Sequence, residues 1–93
     1  MAFEIETDEK YIYTNSEIRV TSQWELYDDT GDEGDGLTLH DEPNFLCILY
    51  ENIDIAKFIK DIDEEYYREL KKDAHKRAKE IVLENYSDQV IYF

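Results

Sequence analysis

The sequence predicts a single α+β domain of 93 residues, in which an antiparallel sheet from the N-terminal half is packed on one face by two C-terminal helices. Three observations predict this class: period-two alternation in the first half, a continuous apolar run at 45–50, and helical spacing of apolar residues after 55. We expect mainly strands and an acidic loop (28–36) within 1–51, helices within 52–86, and a possible final strand at 89–93.

The strands follow from the alternation. Residues 3–8 alternate apolar or small side chains with acids, and residues 10–14 are expected to pair with this strand across a tight turn. The clearest alternation spans 17–27, where one face consists of Ile18, Val20, Ser22, Trp24 and Leu26. The apolar run Phe45–Tyr50 is typical of a central strand, and residues 37–40 predict a shorter strand before it.

Two helices follow from apolar residues at helical spacing. The first includes Ile55, Phe58, Ile59 and Ile62, and Asn52 or Asp54 can cap its start. Asp63 is expected to cap the second helix, because two acids follow it in the first turn, where the helix dipole favours them. The apolar stripe of this helix comprises Tyr67, Leu70, Ala74, Ala78, Ile81 and Val82.

The acidic charge is concentrated in the first half of the chain. The 24 acids and 10 bases give a net charge of −14. Residues 1–54 contain 15 acids and two bases, a net charge of −13, whereas residues 55–93 contain nine acids and eight bases, a net charge of −1. Such a surface repels phosphate backbones and anionic lipids, so we expect no direct binding to nucleic acid or membranes.

The remaining features predict a cytoplasmic protein without a cofactor. The N-terminus lacks the basic and apolar regions of a signal peptide. The single cysteine, Cys47, lies in the apolar run and is expected to be a buried small hydrophobe. His75 is expected to face solvent on the second helix, and neither it nor His40 fits a zinc-ligand spacing.

Known catalytic and metal-binding patterns do not fit this sequence. If Asp29 opens a calcium loop, Gly31 and His40 occupy its third and twelfth positions, where oxygen ligands are required. Weak Ca²⁺ binding by the acidic segment stays open. The sequence has no nucleophile elbow and no phosphate-binding glycine loop, so we expect no enzyme activity and no metal site.

The segregated charge predicts a protein-binding surface. A concentrated negative face attracts a positive one, and the commonest strongly positive surfaces in a cell are those that hold nucleic acid. Tyrosines near the anionic strands could stack on partner arginines or could simply cover strand surfaces. The candidate partner-binding residues are Glu4, Glu6, Asp8, Tyr11, Tyr13, Glu25, Tyr27, Asp28, Asp29, Asp32, Glu33 and Asp35.

In size, charge and α+β composition the chain resembles the small acidic inhibitors encoded by phages and mobile elements, which include anti-CRISPR proteins, anti-restriction proteins and uracil-DNA glycosylase inhibitors. The resemblance extends over the whole chain, rests on no motif and transfers no binding residues. It implies an inhibitor acting in the host cytoplasm, where it occupies the nucleic-acid-binding face of a basic protein such as a CRISPR effector or a restriction or repair enzyme.

The sequence leaves two alternatives open for the role of the anionic half. An antitoxin, an immunity protein or an acidic subunit of an assembly would bind a basic partner through an apolar groove, with charge only steering the encounter. The anionic half could also be a solvating face without a partner. The chain could be a monomer or a homodimer, since a strand at 89–93 would offer a free edge.

Overall fold

The computed structural model describes residues 2–31, 34–88 and 91–92. In chain order the elements are β1 (Ala2–Tyr13), β2 (Ser16–Gly31), β3 (Gly34–Leu39), β4 (Phe45–Tyr50), β5 (Ile53–Asp54), α1 (Ala56–Ile62), α2 (Glu64–Asn85) and β6 (Ile91–Tyr92). The predicted α+β class is confirmed: an antiparallel sheet from the N-terminal half precedes two C-terminal helices.

β2 is the central strand of the sheet. β1 pairs with one of its edges without a skipped residue, from Ala2 opposite Tyr27 to Tyr13 opposite Ser16. The other edge is shared, because β4 pairs with residues 19–23 and β3 with residues 26–31. The expected strand Phe45–Tyr50 is present, but it lies between β2 and the two-residue β5.

Two turns set the lengths of the hairpins. Thr14 and Asn15 have φ angles of 46° and 64°, and Glu51 and Asn52 have φ angles of 49° and 69°. Two successive left-handed residues are the mark of a type I′ turn, whose twist matches that of the flanking strands. The first turn comes only after Tyr13, so the expectation of a separate strand at 10–14 is wrong: these residues complete β1 and its turn.

Within the acidic segment, residues 28–31 and 34–36 form strands instead of the loop expected from composition. β2 continues to Gly31 and β3 begins at Gly34, with residues 28–31 paired to residues 34–37. The loop was expected because the side chains are polar. A strand ladder, however, is formed by backbone N–H and C=O groups, which every residue of this segment provides. Gly36 is even buried. Asp32 and Glu33, between the two strands, lie outside the described residues.

The core lies between one face of the sheet and α2. All five predicted inward residues of β2 are buried, from Ile18 to Leu26. One cluster comprises Ile5, Trp24, Leu26, Leu37, Leu39, Ala74, Ala78 and Val82. A second comprises Ile18, Val20, Ile48, Ile59 and Leu70. The two buried alanines of α2 let the helix approach the sheet closely, because each contributes only a methyl group.

Side chains at the helix starts behave largely as expected. The Asp63 carboxylate accepts a hydrogen bond from the Tyr66 backbone N–H at 3.3 Å, which confirms it as the cap of α2. The Asp54 carboxylate accepts one from the Ala56 N–H at 3.0 Å, just before α1. Of the apolar residues predicted for α1, only Ile59 is fully buried.

The C-terminal strand closes the sheet on the far side of β3. Ile91 and Tyr92 pair in parallel with Leu37 and Thr38. The expected strand at 89–93 is therefore confirmed for these two residues, while Gln89, Val90 and Phe93 lie outside the described residues.

His75 does not face solvent, contrary to expectation. Its ring is half-buried and lies against the Trp24 ring, with 4.8 Å between centroids. The Nε2 atom is buried and has no hydrogen-bond partner among the residues that the structure describes. Burial, reinforced by the nearby Lys79 charge, lowers the pKa of His75 below its ordinary value. The expectation was inferred from the neighbouring lysines at 72 and 76. Charged neighbours in the sequence do not determine which side of the helix residue 75 faces.

The lowered pKa of His75 predicts a pH dependence of stability. The unfolded chain takes up this proton more readily than the folded one, so the free energy of unfolding falls as the pH drops through about 6.5. We expect His75→Phe, which keeps a ring against Trp24, to lose less stability than the original chain between about pH 8 and about pH 5.5. His40→Phe is the control, because His40 is exposed. Parallel stability curves for all three proteins would contradict this role of His75.

The close packing of α2 predicts a strong size limit at Ala78, which is fully buried. We expect Ala78→Leu to lower the free energy of unfolding by about 1–3 kcal/mol, because the extra carbons have no space. Lys72→Leu adds the same side chain at an exposed position of α2 and should change the free energy by less than about 0.5 kcal/mol. Urea unfolding followed by circular dichroism measures both, and equal stabilities would show that α2 does not pack this closely.

Candidate functional site

The outer face of β1 and β2 is the face opposite the helices. In β1 the inward positions include Ile5 and Thr7, which are buried, so the alternate residues point outward. The register places the outward residues of both strands side by side. They are Glu4, Glu6, Asp8, Lys10 and Ile12 from β1, and Glu17, Arg19, Thr21, Gln23, Glu25 and Tyr27 from β2.

One end of the outer face carries uncompensated negative charge; we call it the acidic end and define it by Glu4, Glu6 and Glu25. Glu4 lies directly opposite Glu25, an arrangement that is unfavourable for like charges. Neutral donors hold two of the three carboxylates: the Gln23 amide donates to Glu4 at 2.7 Å and the Tyr27 hydroxyl to Glu25 at 2.8 Å. Within the described residues, no ion pair involves any of the three acids.

The other end of the outer face is mixed in charge. Arg19 binds Asp8 with two hydrogen bonds, one of them from Nε to Oδ1 at 2.6 Å, and Lys10 lies opposite Arg19. The hydrogen bond from Arg19 lowers the pKa of the Asp8 carboxyl below its ordinary value. Asp8, one of the candidate binding residues, therefore has a cationic partner within the chain, unlike Glu4 and Glu6.

Tyr11 and Tyr13 do not lie on the outer face with the acids. The Tyr11 hydroxyl donates to Asp73 at 2.9 Å and the Tyr13 hydroxyl to Asp63 at 3.2 Å, so both side chains reach α2 or its cap. Burial first, and then the Asp73 carboxylate, raises the pKa of Tyr11. These two candidate residues therefore share a strand with the acids but not a face, because the alternation that begins at Phe3 continues unbroken to Tyr13 and puts them on the inward side.

The acidic hairpin tip extends the acidic end. β1 begins opposite Tyr27, so the paired residues 28–31 and 34–35 of β2 and β3 extend beyond it. Asp28 is opposite the buried Leu37 and has a buried oxygen without a hydrogen-bond partner among the described residues, so it faces the helix side. The backbones of Asp29 and Asp35 belong to the hairpin, and Asp32 and Glu33 lie outside the described residues.

Tyr27 is the one candidate tyrosine that accompanies the acidic end. It is exposed on the outer face, and its ring meets His40 edge-on with 5.2 Å between centroids. The hydrogen bond to Glu25 raises the pKa of its hydroxyl. Tyr27 thus presents a ring beside the Glu25 carboxylate, a combination suited to contact with a guanidinium group.

The sequence argument missed three residues that shape this surface. Gln23, Arg19 and Lys10 share the outer face with the acids and decide which carboxylates remain free. Alternation alone could have identified them, because Arg19 and Gln23 occupy the same polar face of β2 as Glu25.

The described residues offer little support for a catalytic or metal-binding site. A shallow depression of about 480 Å³ on the outer face is lined by Glu6, Asp8, Thr21, Gln23 and Phe45 together with Thr7 and Ser22. Cys47 is buried, and burial followed by the charge of Asp54 raises its pKa, which disfavours the reactive thiolate. In the part of the chain that the structure describes, no group of three or more His, Cys, Asp or Glu residues could hold a metal ion.

The fold and the outer face define a small acidic α+β protein with a charged sheet surface. No protein-family model matches the chain, and the comparisons with curated proteins and with solved structures each find no match. None of the helices within the described ranges is long and apolar enough to cross a membrane.

The pairing of Arg19 with Asp8 predicts a residue-specific titration. We expect Arg19→Gln to raise the pKa of Asp8 towards its ordinary value of 3.8, because the main hydrogen bond to the ionised carboxyl is lost. Stability contributed by this pair is present above that value and is lost as the pH falls through the lowered pKa. Carboxyl-carbon NMR measures the titration. Lys10→Gln is the control, and an equal shift of the Asp8 pKa in both variants would contradict the assigned pairing.

Proposed function

We propose that this protein is an inhibitor that uses the acidic end of its outer face and the adjoining hairpin tip to occupy the nucleic-acid-binding surface of a basic protein. Suitable targets include a CRISPR effector or a restriction or repair enzyme in the host cytoplasm. The observation that carries the proposal is that Glu4, Glu6 and Glu25 lie together on the outer face without an ion pair among the described residues, and that neutral donors hold Glu4 and Glu25.

The spacing of the carboxylates suits this role. Alternate residues of a strand are about 6.6 Å apart, so Glu4 and Glu6 form a charge repeat comparable to neighbouring phosphates along one nucleic-acid strand. The second row, from β2, adds Glu25 directly beside Glu4. A basic groove shaped for phosphates would therefore meet two carboxylates along β1 and a third beside them on β2.

The energetics favour a cationic partner at this end. Opposed like charges on neighbouring strands are unfavourable, so an arginine or lysine placed between Glu4 and Glu25 would relieve a repulsion that the free protein carries. The field of the acidic end also raises the rate of encounter with a basic surface and orients it. Both effects weaken as salt is added.

A second candidate function rests on a different surface. Ile53, Phe58 and Ile62, around β5 and α1, are 63%, 59% and 56% exposed. An antitoxin, an immunity protein or an acidic assembly subunit that binds through apolar contacts would use such residues, with the charge only steering association.

The two candidate functions predict different effects of charge-neutralising variants on the affinity for the partner. We expect the triple change Glu4→Gln, Glu6→Gln and Glu25→Gln to weaken binding to the basic target about tenfold or more, since several charge-assisted contacts are lost. The control removes three acids elsewhere: Glu51→Gln, Asp61→Asn and Glu65→Gln. Capture from nucleic-acid-depleted host lysate identifies the partner, and calorimetry with the purified partner measures the affinity of each variant.

Competition completes the test. Under the proposed function, duplex DNA or RNA in excess displaces the inhibitor from its target. A partner that ignores nucleic acid, binds the triple variant unchanged and is lost on Phe58→Ala would overturn the proposal in favour of the apolar surface.

A further inference from the structure

β1 has a long open edge. Among the described residues it pairs only with β2, over all 12 of its residues. The strand contains no proline, and its register with β2 has no bulge. Proteins commonly protect edge strands by bulges, prolines, charges or a covering element, and of the first three only charges are present here. The open edge is thus a regular row of backbone donors and acceptors.

The residues whose backbone groups point to this edge can be identified. A two-residue turn makes Tyr13 and Ser16 a hydrogen-bonded pair, and such pairs alternate along an antiparallel ladder. The even-numbered residues of β1 therefore direct their N–H and C=O groups away from β2.

Hydrogen bonds on the far side of β2 agree with this assignment. The Gln23 carbonyl accepts from the Asn44 N–H at 2.8 Å and the Glu25 carbonyl from the His40 N–H at 2.9 Å. Both carbonyls thus point away from β1, so their partners across the ladder, Glu6 and Glu4, form no backbone bonds with them.

The residues of β1 that direct backbone groups to the open edge are therefore the same residues that carry its outer-face carboxylates. Glu4, Glu6 and Asp8 each direct to the open edge an N–H and a C=O that have no partner in the described part of the chain. All three carboxylates are on the outer face, and those of Glu4 and Glu6 are not bound by Arg19. A strand added to this edge would meet both features at once, with its own alternate side chains beside the carboxylates.

We propose that residues 4–8 of β1 accept an extended basic segment of the partner as an additional antiparallel strand, with lysine or arginine at alternate positions that include those opposite Glu4 and Glu6. This inference rests on the proposed function and names the partner's contacting element. The backbone bonds supply affinity and the alternating cations supply selectivity, as in other cases of strand addition.

Charge also argues against a second copy of this chain as the occupant. In any antiparallel register in which residues 4–8 of both copies pair within β1, at least one acid lies opposite an acid. Like charges directly opposite each other are unfavourable in a sheet. Charge at this edge therefore disfavours self-pairing and favours a basic strand.

N-methylated peptides test the inference. The probe is a ten-residue peptide that alternates threonine and lysine, measured by calorimetry at low salt with the full chain. In the proposed antiparallel pairing the lysine N–H groups face β1 and the threonine N–H groups face solvent. We expect methylation of the lysine nitrogens to weaken binding about tenfold or more and methylation of the threonine nitrogens to change it less than about threefold.

Amide exchange gives an independent readout on the protein. The peptide should slow hydrogen exchange at the amides of Glu4, Glu6 and Asp8, whereas the amides of Ile5 and Thr7 are already bonded to β2. Concentration-dependent protection of the same three amides without peptide would reveal self-pairing and overturn the inference.

The outcomes separate this inference from the proposed function. If both methylated peptides, and a peptide with five lysines followed by five threonines, bind as well as the alternating probe, strand addition is wrong while the acidic end still binds cations. If a folded basic target binds in a manner that depends on Glu4, Glu6 and Glu25 but no peptide binds, strand addition at the β1 edge is wrong and the proposed function stands. If neither binds, both proposals fail.

Discussion

Backbone pairing along β2 is the constraint on which the rest of the structure depends. This strand provides the ladder for β1 on one edge and for β4 and β3 on the other, so every position in the sheet is set relative to it. Its inward side chains, with Trp24 at the centre, form both parts of the core against α2. A shift of β2 by one residue would bury Arg19 and Glu25 and expose Trp24, so the apolar pattern fixes the register and with it the facing of the acids on β1 and β2.

Much of this architecture could be predicted because it depends on local periodicity. The inward face of β2, the stripe of α2 and the Asp63 cap each follow from residues close together in the chain. The hairpin at 28–36 was missed because its pairing uses backbone groups that composition does not reveal. The burial of His75 was missed because it depends on Trp24, which lies 51 residues earlier and meets it only in the folded chain.

The sequence predicted where the acids lie in the chain, but not which of them are paired in the fold. Charge counting located the acids in the first half but could not say which of them are neutralised within the chain. Asp8 is paired with Arg19, whereas Glu4 and Glu6 are held by neutral groups or none, a difference set by the β1–β2 register. The facing of Tyr11 and Tyr13 could not be predicted, because dividing β1 into two strands interrupted the alternation that places both on the inward side.

The parallel pairing of β6 with β3 has a consequence for how the chain folds. β1 and β2 meet through a two-residue turn, so their hairpin can form early, whereas β6 reaches β3 only after the whole helical region has been made. Until then the edge of β3 is open beside residues 28–35, the most acidic segment of the chain. We expect these acids to act as gatekeepers that keep nascent chains from associating through that edge, a benefit that is independent of any binding partner.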